Sequence, residues 1–188
     1  RPFVAMTMTN LLADVPTSLV SALDGVCQRV KVRATDRLAA AHDASHYLLT
    51  PQVVVVPADV AELAAVLHVS RRAGVAVTFR SGGTSLSGQA GSDGVLVDTR
   101  RNFRKIEALD GGERVRTGPG ATVRAVNLRL ARHGHKLGPD PASEIACTVG
   151  GVVANNSSGM ACGVTDNTYQ TLDSAVLVLP SGTVVNTG

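Results

Sequence analysis

Residues 52–57 read QVVVVP. Four consecutive valines leave no polar face for solvent, and β-branched side chains favour extended backbone. Such a run, closed by Pro57, predicts a strand buried on both faces and so a covered sheet. Directly after it, Asp59 and Glu62 make a capping-box-like helix start. Leu63, Val66, Leu67 and Ser70 then share one helical face, and Gly74 supplies the stop. VAVTF, residues 75–79, is the next strand. Strand, helix, strand in that order predicts a βαβ unit.

The second strand runs into RSGGTSLSGQ, residues 80–89. Its glycines and serines cannot build a core. Glycine lets backbone approach a ligand closely, and successive backbone N–H groups form an anion-binding concavity. The loop lacks the Gly-Lys-Ser/Thr ending of a P-loop and is not a G-x-G-x-x-G fingerprint. A second stretch of similar texture, residues 138–163, is rich in Gly, Pro, Ser and Asn and leaves little room for regular structure. A loop of that length inside a compact domain is functional or disordered. The interleaved Val149, Val152 and Val153 want burial and argue against disorder. Two such loops could clamp an extended dinucleotide from both sides.

Elsewhere the pattern predicts a poorly ordered lead-in over residues 1–16 and a helix from Ser18 with Leu19, Val20, Leu23, Val26, Cys27 and Val30 in phase. A shorter helix is expected over Asp36 to Ala44. GVLVDT, residues 94–99, reads as a strand, and residues 103–118 as a hairpin turning at Asp110-Gly111-Gly112. Thr122 caps a helix carrying Val123, Val126 and Leu130 and ending at Gly134. A closing hairpin is expected over residues 172–185 with a two-residue Ser181-Gly182 turn.

At 188 residues the chain fits one domain or two small lobes. Only 3% of it is aromatic and none is Trp, so the core must be built from Val, Ala and Leu. The net charge of +3 is scattered, with no basic run, which argues against a nucleic-acid partner. No stretch approaches the roughly 18 apolar residues of a membrane span. The odd count of three cysteines, without metal-ligand spacing, points to buried thiols in a reducing compartment. His42 and His46 would share a face of a helix, but no third ligand is nearby, so no metal is expected. His133 and His135 read as a solvated helix end; Arg100, Arg101, Arg104 and Lys105 read as a solvated face.

The motifs P-x-x-VVVP, RSGGTSLSGQ, GPDPAS and CTVGGVVANNSSG follow one another in that order. Together they resemble the FAD-binding domain of the vanillyl-alcohol-oxidase/p-cresol-methylhydroxylase superfamily, from about Pro51 onward. AHDASHYLLTP before them is similar to the D-lactate and D-2-hydroxyglutarate dehydrogenase branch, and GPDPAS with NNSSGM to members fused to an iron–sulfur domain. The resemblance implies a two-lobed α+β fold of PCMH type with FAD extended between the lobes. The first lobe would be strand–helix–strand over residues 51–118. The second, residues 119–188, would hold a mixed or antiparallel sheet and be truncated at its C-terminus; residues 1–50 would be a lead-in with helices.

By the same resemblance Arg80, Ser81, Gly82, Gly83, Thr84, Ser85, Leu86 and Gly88 hold the pyrophosphate. Pro139, Asp140, Pro141 and Ser143 form a second wall near the ribityl chain and flavin. Thr148, Gly150, Gly151, Asn155, Ser157, Ser158 and Gly159 line the remainder. Several relatives carry a flavin-linking His where this chain has Thr84, so FAD is expected to be non-covalent.

The activity implied is oxidation of a D-2-hydroxy acid such as D-lactate, with hydride passing to flavin N5. The catalytic base and carboxylate-binding residues would lie in a cap domain outside this chain, so no catalytic residue is assigned and the chain is expected to be inactive alone. An iron–sulfur cluster would belong only to a further C-terminal domain. The electron acceptor is open. Two alternatives stand: another flavin oxidoreductase of this fold, such as an alcohol or sugar oxidase or UDP-N-acetylenolpyruvoylglucosamine reductase, and a non-catalytic nucleotide-binding module. The expected location is cytoplasmic, with peripheral contact at the inner membrane face left open.

Overall fold

A computed structural model describes residues 14–188. The expected lead-in over residues 1–16 lies mostly outside the described residues. The chain is a mixed α+β fold with one four-stranded sheet and two separate hairpins.

The sheet forms around the valine run. Strand β2 (Val53–Val55) is buried along its whole length. It pairs parallel with β4 (Val95–Asp98), which pairs parallel with β3 (Val77–Arg80), and antiparallel with the short β1 (Val30–Lys31). The strand order is therefore β1-β2-β4-β3. The expected strand–helix–strand unit is present, but its two strands are not neighbours, because β4 inserts between them. Nothing in a βαβ periodicity reveals that insertion, since both arrangements bury the same residues.

Helix α3 (Val60–Arg72) crosses one face of the sheet. Asp59 Oδ1 accepts from the Glu62 N–H at 2.9 Å, and Glu62 Oε2 accepts from the Ala58 N–H at 2.9 Å. These bonds satisfy donors at the helix start that have no intrahelical partner. Leu63, Val66 and Leu67 of α3 pack with Val53, Val55, Val95 and Val97 of the sheet. Leu19 and Leu23 of α1 (Thr17–Asp24) complete this core. Helix α1 stops earlier than the apolar period suggested, because Gly25 follows it and Val30 is needed for β1. Helix α2 spans Ala34–Ala39 rather than residues 36–44.

A second, smaller core lies under hairpin β5 (Ile106–Leu109) and β6 (Arg114–Thr117). The hairpin turns at residues 110–112, as expected. Ile106, Ala108 and Val115 pack against Ala121, Val126 and Leu130. The last two belong to α4 (Val123–Leu130), which Thr122 caps by accepting from the Ala125 N–H at 3.1 Å.

The segment expected to lack regular structure contains helix α5 (Val149–Ala154). The same valines that argued against disorder form it: Val152 is buried beside Val123 and Cys147. Glycine content masked the helix, since Gly150 and Gly151 have low helix propensity. A further short helix, α6 (Thr168–Thr171), precedes the last hairpin, β7 (Val176–Val178) and β8 (Val184–Asn186). Its loop is not the expected two-residue turn. Leu179 and Thr183 are bonded, N–H to carbonyl at 2.9 Å, so Pro180, Ser181 and Gly182 form a three-residue loop.

Leu23 is fully buried and Leu128 is 61% exposed. L23A should therefore destabilise the chain by about 2–5 kcal/mol, and L128A by no more than about 0.5 kcal/mol, in urea denaturation followed by circular dichroism.

Candidate functional site

Strands β3 and β4 are parallel neighbours, so the chain must return along their length between them. Residues 81–94 make that return without a helix. Local turns satisfy only some of their backbone N–H groups, those of Ser87, Gly91 and Gly94 among them. Among the described residues, the N–H groups of Gly83, Thr84, Ser85 and Leu86 have no hydrogen-bond acceptor. Four consecutive free donors on a half-exposed loop are a feature that an anion could satisfy.

The root of this loop meets the second glycine-rich stretch. Gly82 N–H donates to Thr148 Oγ1 at 3.4 Å, a long bond. The backbones lie so close that a Cβ on Gly82 would come within 2.4 Å of the Ala146 carbonyl oxygen. Ser81 Oγ donates to the Pro119 carbonyl at 3.2 Å, and Thr99 Oγ1 lies 2.9 Å from Ser81 Oγ. Pro119 also accepts from the Gly150 N–H at 2.9 Å. Residues around positions 81, 119 and 148 thus converge, and the loop and the N-terminus of α5 share one wall.

The expected site residues fall into distinct roles. Ser81, Gly82, Thr148 and Gly150 are joined by the contacts above. Gly83, Thr84, Ser85 and Leu86 carry the free amides, and the Leu86 side chain stands 78% exposed. Gly88 closes the loop beside Tyr47. Arg80 differs: its guanidinium donates to the carbonyls of Ala40, at 2.6 Å, and of His42.

Pro139 is buried, and Pro141 and Ser143 are half-buried on the segment leading to Cys147. Asp140 is a tie: its two oxygens accept from the Ala161 N–H at 3.0 Å and the Cys162 N–H at 3.1 Å. These bonds hold its carboxyl below the usual carboxylate range. Gly159 packs on Asp140. Gly151, Asn155 and Ser158 are exposed, and the Ser157 carbonyl accepts from Thr168 Oγ1 at 2.6 Å.

Sequence reasoning missed Pro119, Thr99 and residues 40–47 as parts of this site. The Gly118-Pro119-Gly120 punctuation was the available signal, but it also ends a hairpin. His42 and His46 lie beyond the end of α2, so the helical face they were expected to share does not exist; His42 instead bridges to Leu48. Among the described residues, no group of three His, Cys, Asp or Glu could hold a metal ion. Cys27, Cys147 and Cys162 are free and buried. Burial is the main reason the Cys147 thiol is pushed up, which makes it a poor nucleophile. Among the described residues, no helix is long and apolar enough to cross a membrane.

A family described as FAD binding domain matches residues 51–188. The chain is 33% identical to the glycolate oxidase subunit GlcD of Escherichia coli (strain K12), over 96% of its own length and 39% of that protein's. It is 35% identical to a D-2-hydroxyglutarate dehydrogenase of Pseudomonas putida over 65% of its length and 13% of that protein's. A D-lactate dehydrogenase of Archaeoglobus fulgidus is 34% identical over 72% of this chain and 31% of that one. Among solved structures, an alkyldihydroxyacetonephosphate synthase superposes with a TM-score of 0.78 at 21% identity, over 97% of this chain and 40% of the other.

The Asp140 tie sets a pH dependence. A depressed folded-state pKa contributes stability that is present above the unfolded value, about 3.9, and is lost as pH falls through the folded one. D140N places an amide NH2 against one of two N–H donors and should lower the melting temperature at pH 7. The gap between wild type and D140N should close as the pH falls below about 4, in thermal melts across that range.

Proposed function

Because the chain belongs to the PCMH-type FAD-binding family, we propose that it is the cofactor-holding part of a flavin-dependent 2-hydroxy-acid dehydrogenase. The observation that carries this reading is the row of four free amides, Gly83 to Leu86, rooted at Gly82 against Thr148. A pyrophosphate needs free donors on backbone that it can approach closely, and the unpaired amides and the glycines of this loop support that reading.

In this reading Arg80 to Leu86 and Gly88 form the wall that faces the pyrophosphate. Pro139, Asp140, Pro141 and Ser143 form the wall toward the ribityl chain. Thr148, Gly150, Gly151, Asn155, Ser157, Ser158 and Gly159 line the rest. The lobes divide at residues 118 and 119, with FAD between them. When bound, FAD supplies a two-electron acceptor; the chain binds and orients it. Thr84 has no imidazole nitrogen to attach a flavin, so the cofactor is held without a covalent bond.

The substrate class follows from the relatives named above, whose substrates are glycolate, D-2-hydroxyglutarate and D-lactate. All are short acids with a hydroxyl on the carbon beside the carboxylate. The chain spans about two fifths of the length of the glycolate oxidase subunit it matches. No catalytic base is assigned to it, and oxidation of a D-lactate-like acid is the activity we propose for the whole protein.

Titration of the purified chain with FAD should give saturable quenching of flavin fluorescence and a shifted visible spectrum. The flavin should separate from the protein on a denaturing gel. G82A, which drives a methyl into the Ala146 carbonyl, should weaken FAD binding at least about tenfold. Equal affinity for ADP and FAD without spectral change would instead support a nucleotide-binding module.

A further inference from the structure

Arg80 stands at the root of the cofactor loop, yet its charged head points to a different element. Nη1 donates to the Ala40 carbonyl at 2.6 Å and Nη2 to the His42 carbonyl. Nε is buried with no acceptor among the described residues, and Gly83 lies over it: a Cβ there would come within 3.1 Å of Nε. Gly83 also has φ +67°, a conformation that favours glycine, and a side chain there would crowd the guanidinium.

The segment that receives Arg80 is itself ordered. Ala41 O accepts from the Leu49 N–H at 3.2 Å, and His42 bridges to Leu48. Asp43 Oδ1 accepts from the Ser45 N–H at 2.8 Å and from Ser45 Oγ. This small closed unit touches the cofactor loop at two more places. Ala44 N–H donates to the Gly83 carbonyl at 2.9 Å. The Tyr47 ring lies on Gly88, where a Cβ would come within 2.5 Å of Cδ2. The loop is therefore held from outside at its root, at Gly83 and at its far end. Its free amides lie between the last two of these points.

We propose that residues 40–49 are a strap that fixes the loop in its cofactor-binding shape before FAD arrives, with Arg80 as the pin between strap and loop. Arg80 is then a positioning residue, and the phosphate donors are the backbone amides. The inference rests on the cofactor reading above and deepens it. A loop with four unsatisfied amides has no internal reason to keep them convergent. An external strap provides that order, and a preformed site loses less entropy on binding.

The test uses R80A, Y47A and Y47F, with FAD and ADP as probes, together with amide exchange in the cofactor-free chain. R80A and Y47A should weaken both probes about tenfold or more. Exchange of the Ala44 amide should accelerate in R80A without any cofactor, and the salt dependence of FAD binding should stay as steep as in wild type. Y47F keeps the ring on Gly88 and should bind FAD within about twofold of wild type. Since Tyr47 is 60% exposed, Y47A keeps the test alive if R80A fails to fold. A flattened salt dependence in R80A with Ala44 exchange unchanged would make Arg80 a direct phosphate ligand and overturn the proposal. So would wild-type binding by Y47A. A wild-type chain that binds neither probe would sink the cofactor reading itself, while Ala44 exchange in R80A would still decide whether the pin orders the strap.

Discussion

Two parallel strands side by side cannot be joined by a tight turn. That constraint, acting on β3 and β4, shapes the rest of the molecule. Most chains meet it with a helix, which satisfies its own backbone. Here residues 81–94 make the return as open loop, and four successive N–H groups are left for a partner. Buried or half-buried donors do not stay unpaired without cost. The arrangement is therefore one half of an interaction, and an anion is its natural complement. The chain belongs to a family of FAD-binding domains, and in the proposed function that anion is the diphosphate of FAD.

The remaining architecture supports this loop. The covered face of the sheet, with α1 and α3, makes β3 and β4 rigid ends for it. The second core, under β5 and β6, carries α4 and brings Pro119 and Thr148 to the loop's root. Burial also acts on the charges at that root. Desolvation, then the like charge of Arg100, pulls the Arg80 guanidinium below the usual arginine range, while Asp43 and Asp98 oppose the shift. Asp98 is held ionised: burial would raise its carboxyl, but hydrogen bonds from Arg100 outweigh that and leave it below the usual range. Asp98 and Arg100 are paired at 2.7 Å, so Asp98 spends much of its charge on Arg100 rather than on Arg80.

Much of this was legible in the residues. QVVVVP allowed little but a buried strand, and the Asp59–Glu62 cap and Thr122 cap behaved as their side chains dictate. Local chemistry determines such features, so a sequence displays them. The insertion of β4 between β2 and β3 was not legible, because strand order depends on which edges meet and not on any one strand's pattern. Helix α5 was hidden by its glycines, of which Gly150 serves close approach to Pro119 rather than disorder. Among the site residues, the loop glycines were visible as glycines, but Arg80 was not visible as a clamp. An arginine beside a phosphate-type loop suggests a phosphate ligand; its bonds to the Ala40 and His42 carbonyls come from the fold and have no mark in the sequence.

In the proposed function the loop at Gly83 and the start of α5 at Thr148 form one continuous wall of a single flavin site. The most direct measurement is a set of backbone amide NMR spectra of the labelled chain with and without FAD. The account predicts the largest shifts at Gly83, Thr84, Ser85 and Leu86, together with clear shifts from Thr148 to Gly151, at a single saturating stoichiometry. Shifts confined to one of these segments, or centred elsewhere on the sheet, would contradict it.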